Sequence, residues 1–392
     1  MSGPLEGVRV IDLTGTVLGP MGTQILGDAG ADVIKIEAPG GDAVRYVGPR
    51  REAGMGAYFL NLNRNKRSVV LDLKRPAAKA ALLRLIAGAD VFVHNMRPAA
   101  AERLGLGYAA LAQVNPRLIH ASASGFRRGS SRAEAPAYDD IIQGLSGLAA
   151  LNGAAAGTDG PRYVPTVMAD KITGHVLASS IGMALYHREK TGRGQALHVP
   201  MLETMLSFLL PEHLWGYSVG QPEHGIGYTR MLSEHRRPFA TADGHLCVIA
   251  VTDDQYARLL KVFGRDDLIA DPRFATVTAR AEHVDFVYGT IAAELRRRST
   301  AKWLDLLATA DVPHGRAATL ADLLDDPYLA ETGFFHAVPE PDAPAALMLG
   351  IPVDYDGSPA AIRRPAPRLG EHTAEVLAEA GLSADDIAAL EA

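Results

Sequence analysis

Cysteine occurs once in these 392 residues, as Cys247. No intrachain disulfide is therefore possible, and the apolar setting His245-Leu-Cys-Val-Ile-Ala250 predicts a buried strand thiol rather than a nucleophile. A reducing, cytoplasmic environment is the expectation. No apolar run reaches the length of a membrane span, and Met1-Ser-Gly-Pro-Leu-Glu-Gly7 lacks the charged-then-apolar pattern of a secretory leader. Neither export nor insertion is expected. The net charge of −6 is scattered in both signs, which leaves no basic field for nucleic acid or an anionic membrane. There is no phosphate-binding P-loop, and Gly15-Thr-Val-Leu-Gly19-Pro-Met-Gly22 lacks dinucleotide spacing. The 13 histidines include no H-E-x-x-H or other paired-ligand spacing, so neither a nicotinamide cofactor nor a metal is expected. Gly-x-Ser-x-Gly is absent too; Ser122-Ala-Ser124-Gly125 reads as the end of a strand.

What remains is an ordinary globular chain, 47% apolar and 21% charged, long enough for two cores. Its first third alternates strand and helix signals. Val8 to Leu13, Ala31 to Glu37, Ser68 to Leu73, Asp90 to His94 and Arg117 to Ala121 read as strands, with helices over Met21 to Ala29 and Pro76 to Ala87. That alternation predicts an α/β fold with a Rossmann-like parallel sheet covered on both faces. Beyond it lie a largely apolar helix from Asp170 to Lys190, a strand from Ala196 to Met201 and a helix from Leu202 to Val219.

The pattern then changes. Gly220-Gln-Pro-Glu-His-Gly-Ile-Gly227 suits a linker. A hairpin follows, turning at Asp243-Gly244, with helices near 254–263, 278–298 and 300–310. The tail carries short strands such as Leu347 to Val353 and a helix from Glu371 to Ala380, and is too short to stand alone. The domain reading is therefore residues 1–220 as a large α/β domain, 221–332 as linker and small inserted α+β domain, and 333–392 as a return segment completing the large one.

One carboxylate stands out. Asp170, in Val164-Pro-Thr-Val-Met-Ala-Asp170-Lys-Ile-Thr-Gly174, lies where an extended run meets a helix. Helix amides there favour the charged, low-pKa form, which suits either a helix cap or a nucleophile towards an activated acyl group.

Several segments together resemble the class III CoA-transferase family, which includes formyl-CoA transferase, carnitine CoA-transferase and the 2-methylacyl-CoA racemases. They are Pro4-Leu-Glu-Gly-Val-Arg-Val-Ile-Asp-Leu13, Gly30-Ala-Asp-Val-Ile-Lys-Ile-Glu37, Asn65-Lys-Arg-Ser68, Asn95-Met-Arg-Pro98, Arg103-Leu-Gly-Leu-Gly-Tyr108, Thr191-Gly-Arg-Gly-Gln195 and Leu369-Gly-Glu-His-Thr373. Each is weak singly, and their order and spacing are specific. The resemblance implies Asp170 as catalytic nucleophile, an interlocked homodimer, and coenzyme A or acyl-CoA as a substrate with no tightly bound cofactor. It implies a CoA site at Thr16, Leu71, Lys74, Asn95, Met96 and Arg103. Ala38 and Ala137 stand where some members carry basic residues. Amides from Gly15 to Gly19 would stabilise an oxyanion, or the glycines there serve a tight turn.

The sister branch racemises 2-methylacyl-CoA by enolisation with a histidine and an aspartate. Here Tyr138 holds the histidine position, and a phenol is a poor base at neutral pH. Transfer is thus favoured, with Tyr138 and Asp139 near the acyl group and enolisation or non-catalytic CoA binding as the alternatives. Arginine forks suit carboxylates, so Arg230, in Tyr228-Thr-Arg230 ahead of His235-Arg-Arg237, is the candidate for binding a dicarboxylate acid substrate.

Overall fold

The structure is a computed structural model and describes residues 3–338 and 345–391. The chain divides into two compact units. The first comprises Met1–Ser146, Val164–Phe208 and Gly333–Ala392, the second Gly147–Tyr163 and Leu209–Thr332. Residues 147–163 and 209–220, which the sequence reading places in the large domain, thus belong to the second unit.

The first unit is built on a parallel sheet. Its strands are β1 (Arg9–Leu13), β2 (Asp32–Glu37), β3 (Lys66–Val70), β4 (Val91–His94), β5 (Ile119–Ser124) and β6 (Gln195–Pro200), in the order β3-β2-β1-β4-β5-β6. Helices α1 (Leu18–Asp28), α2 (Ala57–Leu60), α3 (Pro76–Ala87), α4 (Pro98–Arg103), α5 (Tyr108–Val114) and α6 (Asp139–Leu145) follow in the connections. Then come α7 (Leu148–Ala155), in the second unit, α8 (Met168–Thr191), and α9 (Met201–His213). Central strands buried on both faces need near-continuous apolar runs. Val10, Ile11, Val33, Ile34, Val91, Phe92 and Val93 meet that need and are all at most 1% exposed.

The strand order reverses between β1 and β4, and such a switch point opens a crevice outside the carboxyl ends of the strands. The loops after β1 and β4 therefore flank the place where an open α/β sheet accepts a ligand. Return residues complete this unit at its β3 edge, where Val70 N donates to Thr373 Oγ1 at 3.1 Å and His372 N to Ser68 O at 3.0 Å. Val376 and Leu377 join the core with Leu82 and Ile86. The edge strand's unpaired groups are thereby covered.

The loop after β1 rests on buried charges. Lys66 Nζ lies 3.2 Å from Asp12 Oδ2, and Lys35 Nζ 3.0 Å from Asp42 Oδ2. Burial pushes Asp12 up, but the Lys66 and Lys35 ammonium groups and the Thr14 and Thr23 hydroxyls outweigh it and hold the carboxyl below its ordinary range.

The second unit has an antiparallel sheet of β7 (Phe239–Ala240), β8 (His245–Val248) and β9 (His314–Arg316) in that order. Its core gathers Leu246, Leu259, Phe263, Ile291, Leu295 and Trp303. The helix Asp253–Phe263 begins at a capping box between Thr252 and Gln255. The expected helix over 278–298 is two, Val277–Glu282 and Val284–Leu295, and the one over 202–219 gives way after His213 to a 3-10 turn, Trp215–Val219. Cys247 is exposed, against expectation. Alternation along β8 turns Leu246 into the core and Cys247 outward. The remaining strands, β10 (Phe335–Val338) and β11 (Ala346–Leu349), pair antiparallel in the first unit.

Candidate active site

A cleft of about 410 Å³ opens at the switch point. Gly15 to Leu18 after β1, Asn95 to Arg97 after β4, Ala123 to Gly125 at the end of β5, Ala135 to Tyr138, Asp170 and Met201 line it. Of the expected site residues it brings together Thr16, Asn95, Met96, Tyr138 and Asp170. Leu71 is 2% exposed within the core, while Lys74 and Arg103 are exposed and outside the lining. Arg230 belongs to the second unit.

Helix packing decides where Asp170 stands. A Cβ on Gly174 would lie 2.7 Å from Leu18 O, and one on Gly22 would lie 2.9 Å from Gly174 O. Only glycine permits so close a crossing of α1 and α8. Asp170, one turn before Gly174 on the same face, is thereby set beside the start of α1.

Asp170 is not the cap of its helix. α8 begins at Met168 with Val167 as an N-cap that makes no side-chain bond, and Asp170 sits inside the first turn. Nor is its pKa low. Burial, then the negative charge of Asp139, push the carboxyl up to about 7. Desolvation and a like charge outweigh the helix amides on which the sequence expectation relied.

Asp139, the first residue of α6, is committed at both oxygens. Its Oδ1 accepts from Asp170 N at 3.0 Å and its Oδ2 from Gln143 Nε2 at 2.5 Å. Gln143 also donates to Thr166 O at 3.1 Å and accepts from Val164 N at 2.9 Å. One fully buried amide thus ties α6 to the segment that leads into α8. Tyr138, by contrast, is 70% exposed at the cleft.

The loop facing Asp170 is equally constrained. Gly15 N donates to Asn95 Oδ1 at 3.1 Å while Asn95 Nδ2 donates to Gly15 O at 2.8 Å. Thr16 takes a left-handed φ of 71°, rare for a β-branched residue, and its amide is held by Asp42 Oδ1 at 3.1 Å. The amides of Gly15 and Thr16 are therefore engaged by side chains, which corrects the expectation that they face an oxyanion. The first turn of α1 has no capping side chain, and its amides lack intrahelical acceptors.

Sequence reasoning missed Gln143, Arg97 and Tyr58. Gln143 stands four residues after Asp139, a helical spacing that signals their contact. Arg97, within the quoted Asn95 to Pro98 segment, is the one cationic side chain among the described residues of the cleft lining. The Tyr58 hydroxyl is pushed up by burial and then by the charges of Asp170 and Asp139. No local signal points to it. No group of histidine, cysteine or acidic residues among the described residues is arranged to hold a metal ion, and no helix among them is long and apolar enough to cross a membrane.

Residues 5–373 match the model of CoA-transferase family III. The chain is 33% identical over 383 residues to the succinate–glutarate CoA-transferase of Agrobacterium fabrum, covering 96% of this chain and 95% of that one. It is 35% identical over 381 residues to the acetyl-CoA:oxalate CoA-transferase of Acetobacter aceti, covering 96% of each. The crystal structure of Rv3272 from Mycobacterium tuberculosis, orthorhombic form, superposes with a TM-score of 0.80 at 30% identity, over 95% of this chain and 99% of that one. With sequence and fold agreeing over almost the whole length, the chain belongs to CoA-transferase family III.

Proposed function

We propose that this family III CoA-transferase moves CoA from an acyl-CoA to a free carboxylic acid, a dicarboxylate, through covalent intermediates on Asp170. The observation that carries the reading is a buried aspartate, its carboxyl pushed up to about 7, lining the switch-point cleft beside an uncapped helix start. A more basic carboxylate is a stronger oxygen nucleophile once ionised.

An Asp170 oxygen attacks the thioester carbon; the new C–O bond forms as the C–S bond breaks, leaving a mixed anhydride and CoA thiolate. The thiolate attacks the aspartyl carbon and expels the donor carboxylate, leaving an aspartyl-CoA thioester. The acceptor carboxylate then displaces CoA, forming a second anhydride, and the returning thiolate takes the acceptor acyl group and frees Asp170. No ATP is consumed, because thioester and anhydride are close in energy. Orientation, exclusion of water and oxyanion stabilisation remain for the protein, the last from the first-turn amides of α1.

The acid class is supported by the relatives named for glutarate and oxalate. In the CoA site Thr16, Asn95 and Met96 are joined by Arg97, a cation where Ala137 supplies none. Lys74 and Arg103 would meet the phosphates of a CoA that extends past the cleft, and Leu71 would contribute backbone. We place the enzyme in the cytoplasm. A homodimer is supported by the solvent-facing Val176, Met183 and Tyr186 along α8. Enolisation is disfavoured by Asp139, whose oxygens are both engaged, and by Tyr138 in the histidine position.

The test incubates the protein with acyl-CoA donors and free dicarboxylates and follows CoA exchange by mass spectrometry. Exchange with a hydroxylamine-sensitive adduct on Asp170 is the expected result. Loss of stereochemistry in a 2-methylacyl-CoA without exchange would identify the racemase reaction instead, and binding without turnover would identify a CoA-binding protein.

A further inference from the structure

The second unit contains a cavity of about 510 Å³, within the range of small-molecule sites. Its wall is mainly apolar, with Phe239, Val248 and Ile249 among its residues, and three arginines reach it: Arg230, Arg236 and Arg237. Arg230 Nε donates to Tyr288 Oη at 2.7 Å. No ion pair is made by any of the three among the described residues. In a chain of net charge −6, three arginines lining one cavity with no carboxylate among its described lining residues leave a positive site open to an anion.

A guanidinium fork matches carboxylate and phosphate alike. The wall discriminates between them, since a bare inorganic anion would leave the apolar surface unfilled. A ligand with a charge at each end and methylenes between satisfies both features. We propose that this cavity binds a small aliphatic dicarboxylate, its carboxylates held by Arg230, Arg236 and Arg237 and its methylenes lying on Phe239, Val248 and Ile249. The cavity shares no lining residue with the Asp170 cleft, so the assignment goes beyond the transferase reading, and the binding is independent of turnover.

Cys247 lines the same cavity, is exposed and is the only cysteine in the chain, so its alkylation by iodoacetamide, followed by intact mass, reports occupancy without CoA. Millimolar glutarate is expected to slow alkylation several-fold in the full-length protein, with valerate protecting less and glutaramide and inorganic phosphate leaving the rate unchanged. In an Arg236→Gln, Arg237→Gln variant that retains the wild-type circular dichroism spectrum, the protection by glutarate should disappear. No protection by glutarate, equal protection by glutaramide, phosphate or valerate, or protection that survives in the variant would each overturn the proposal. A failed CoA-exchange assay would sink the transferase reading and leave this result standing.

Discussion

The backbone amide of Asp170 donates to Oδ1 of Asp139 at 3.0 Å, so the carboxylate that steadies the start of α8 also places a negative charge beside the proposed nucleophile. Stability and reactivity at this corner are opposed. The same geometry governs the first two predictions.

Asp170→Asn should abolish CoA exchange and yet stabilise the fold above neutral pH. The folded carboxyl, at about 7, lies above its unfolded value, so its contribution to stability is fully present below the unfolded pKa and is lost as pH rises through 7. Ionising it costs the fold roughly 4 kcal/mol by this linkage. Asparagine never ionises. Melting curves at pH 5 and pH 8 should show the variant gaining several degrees on the wild type at the higher pH; no gain would contradict the raised pKa.

Transfer rates should rise with pH through about 7, because only the ionised Asp170 attacks. Asp139→Asn removes the neighbouring charge and should move this limb of the kcat/KM profile to lower pH. A profile that stays in place would show that Asp139 does not act on Asp170 electrostatically.

Gln143→Leu should cost about 3 kcal/mol, since it leaves Asp139 Oδ2, Thr166 O and Val164 N without their buried partner. Because the lost bonds orient the α8 entry rather than contact CoA, kcat should fall while KM for acyl-CoA changes little. Chemical denaturation and steady-state kinetics on the same preparation would separate the two effects.

Gly174→Ala should push α8 off α1, because its Cβ would meet Leu18 O at 2.7 Å. Overpacking of this kind costs about 1–3 kcal/mol, and the displacement should also lower exchange, since Asp170 and the α1 amides would move apart. Full activity in a stably folded Ala variant would show that the helices can separate without disturbing the site.

Most of the sheet was legible because parallel strands and covering helices impose different periods, and Pro76 and Ala87 bound a helix that the structure reproduces residue for residue. Tertiary contacts gave the rest. Cys247 reads as core from its apolar neighbours, yet strand alternation faces it outward. Lys35 and Lys66 are fully buried against Asp42 and Asp12, pairings that no local pattern marks.

The sequence by itself determined the alternation of strands and helices, the family resemblance and the candidacy of Asp170, because period and residue type are properties of neighbours along the chain. The tertiary structure alone decided that Asp170 is no cap, that its carboxyl titrates near neutrality, and that Gln143 and Tyr58 attend it. A pKa is set by what surrounds a group in space, and burial and Asp139, 31 positions away in the chain, outweigh the helix amides that the local sequence places beside it.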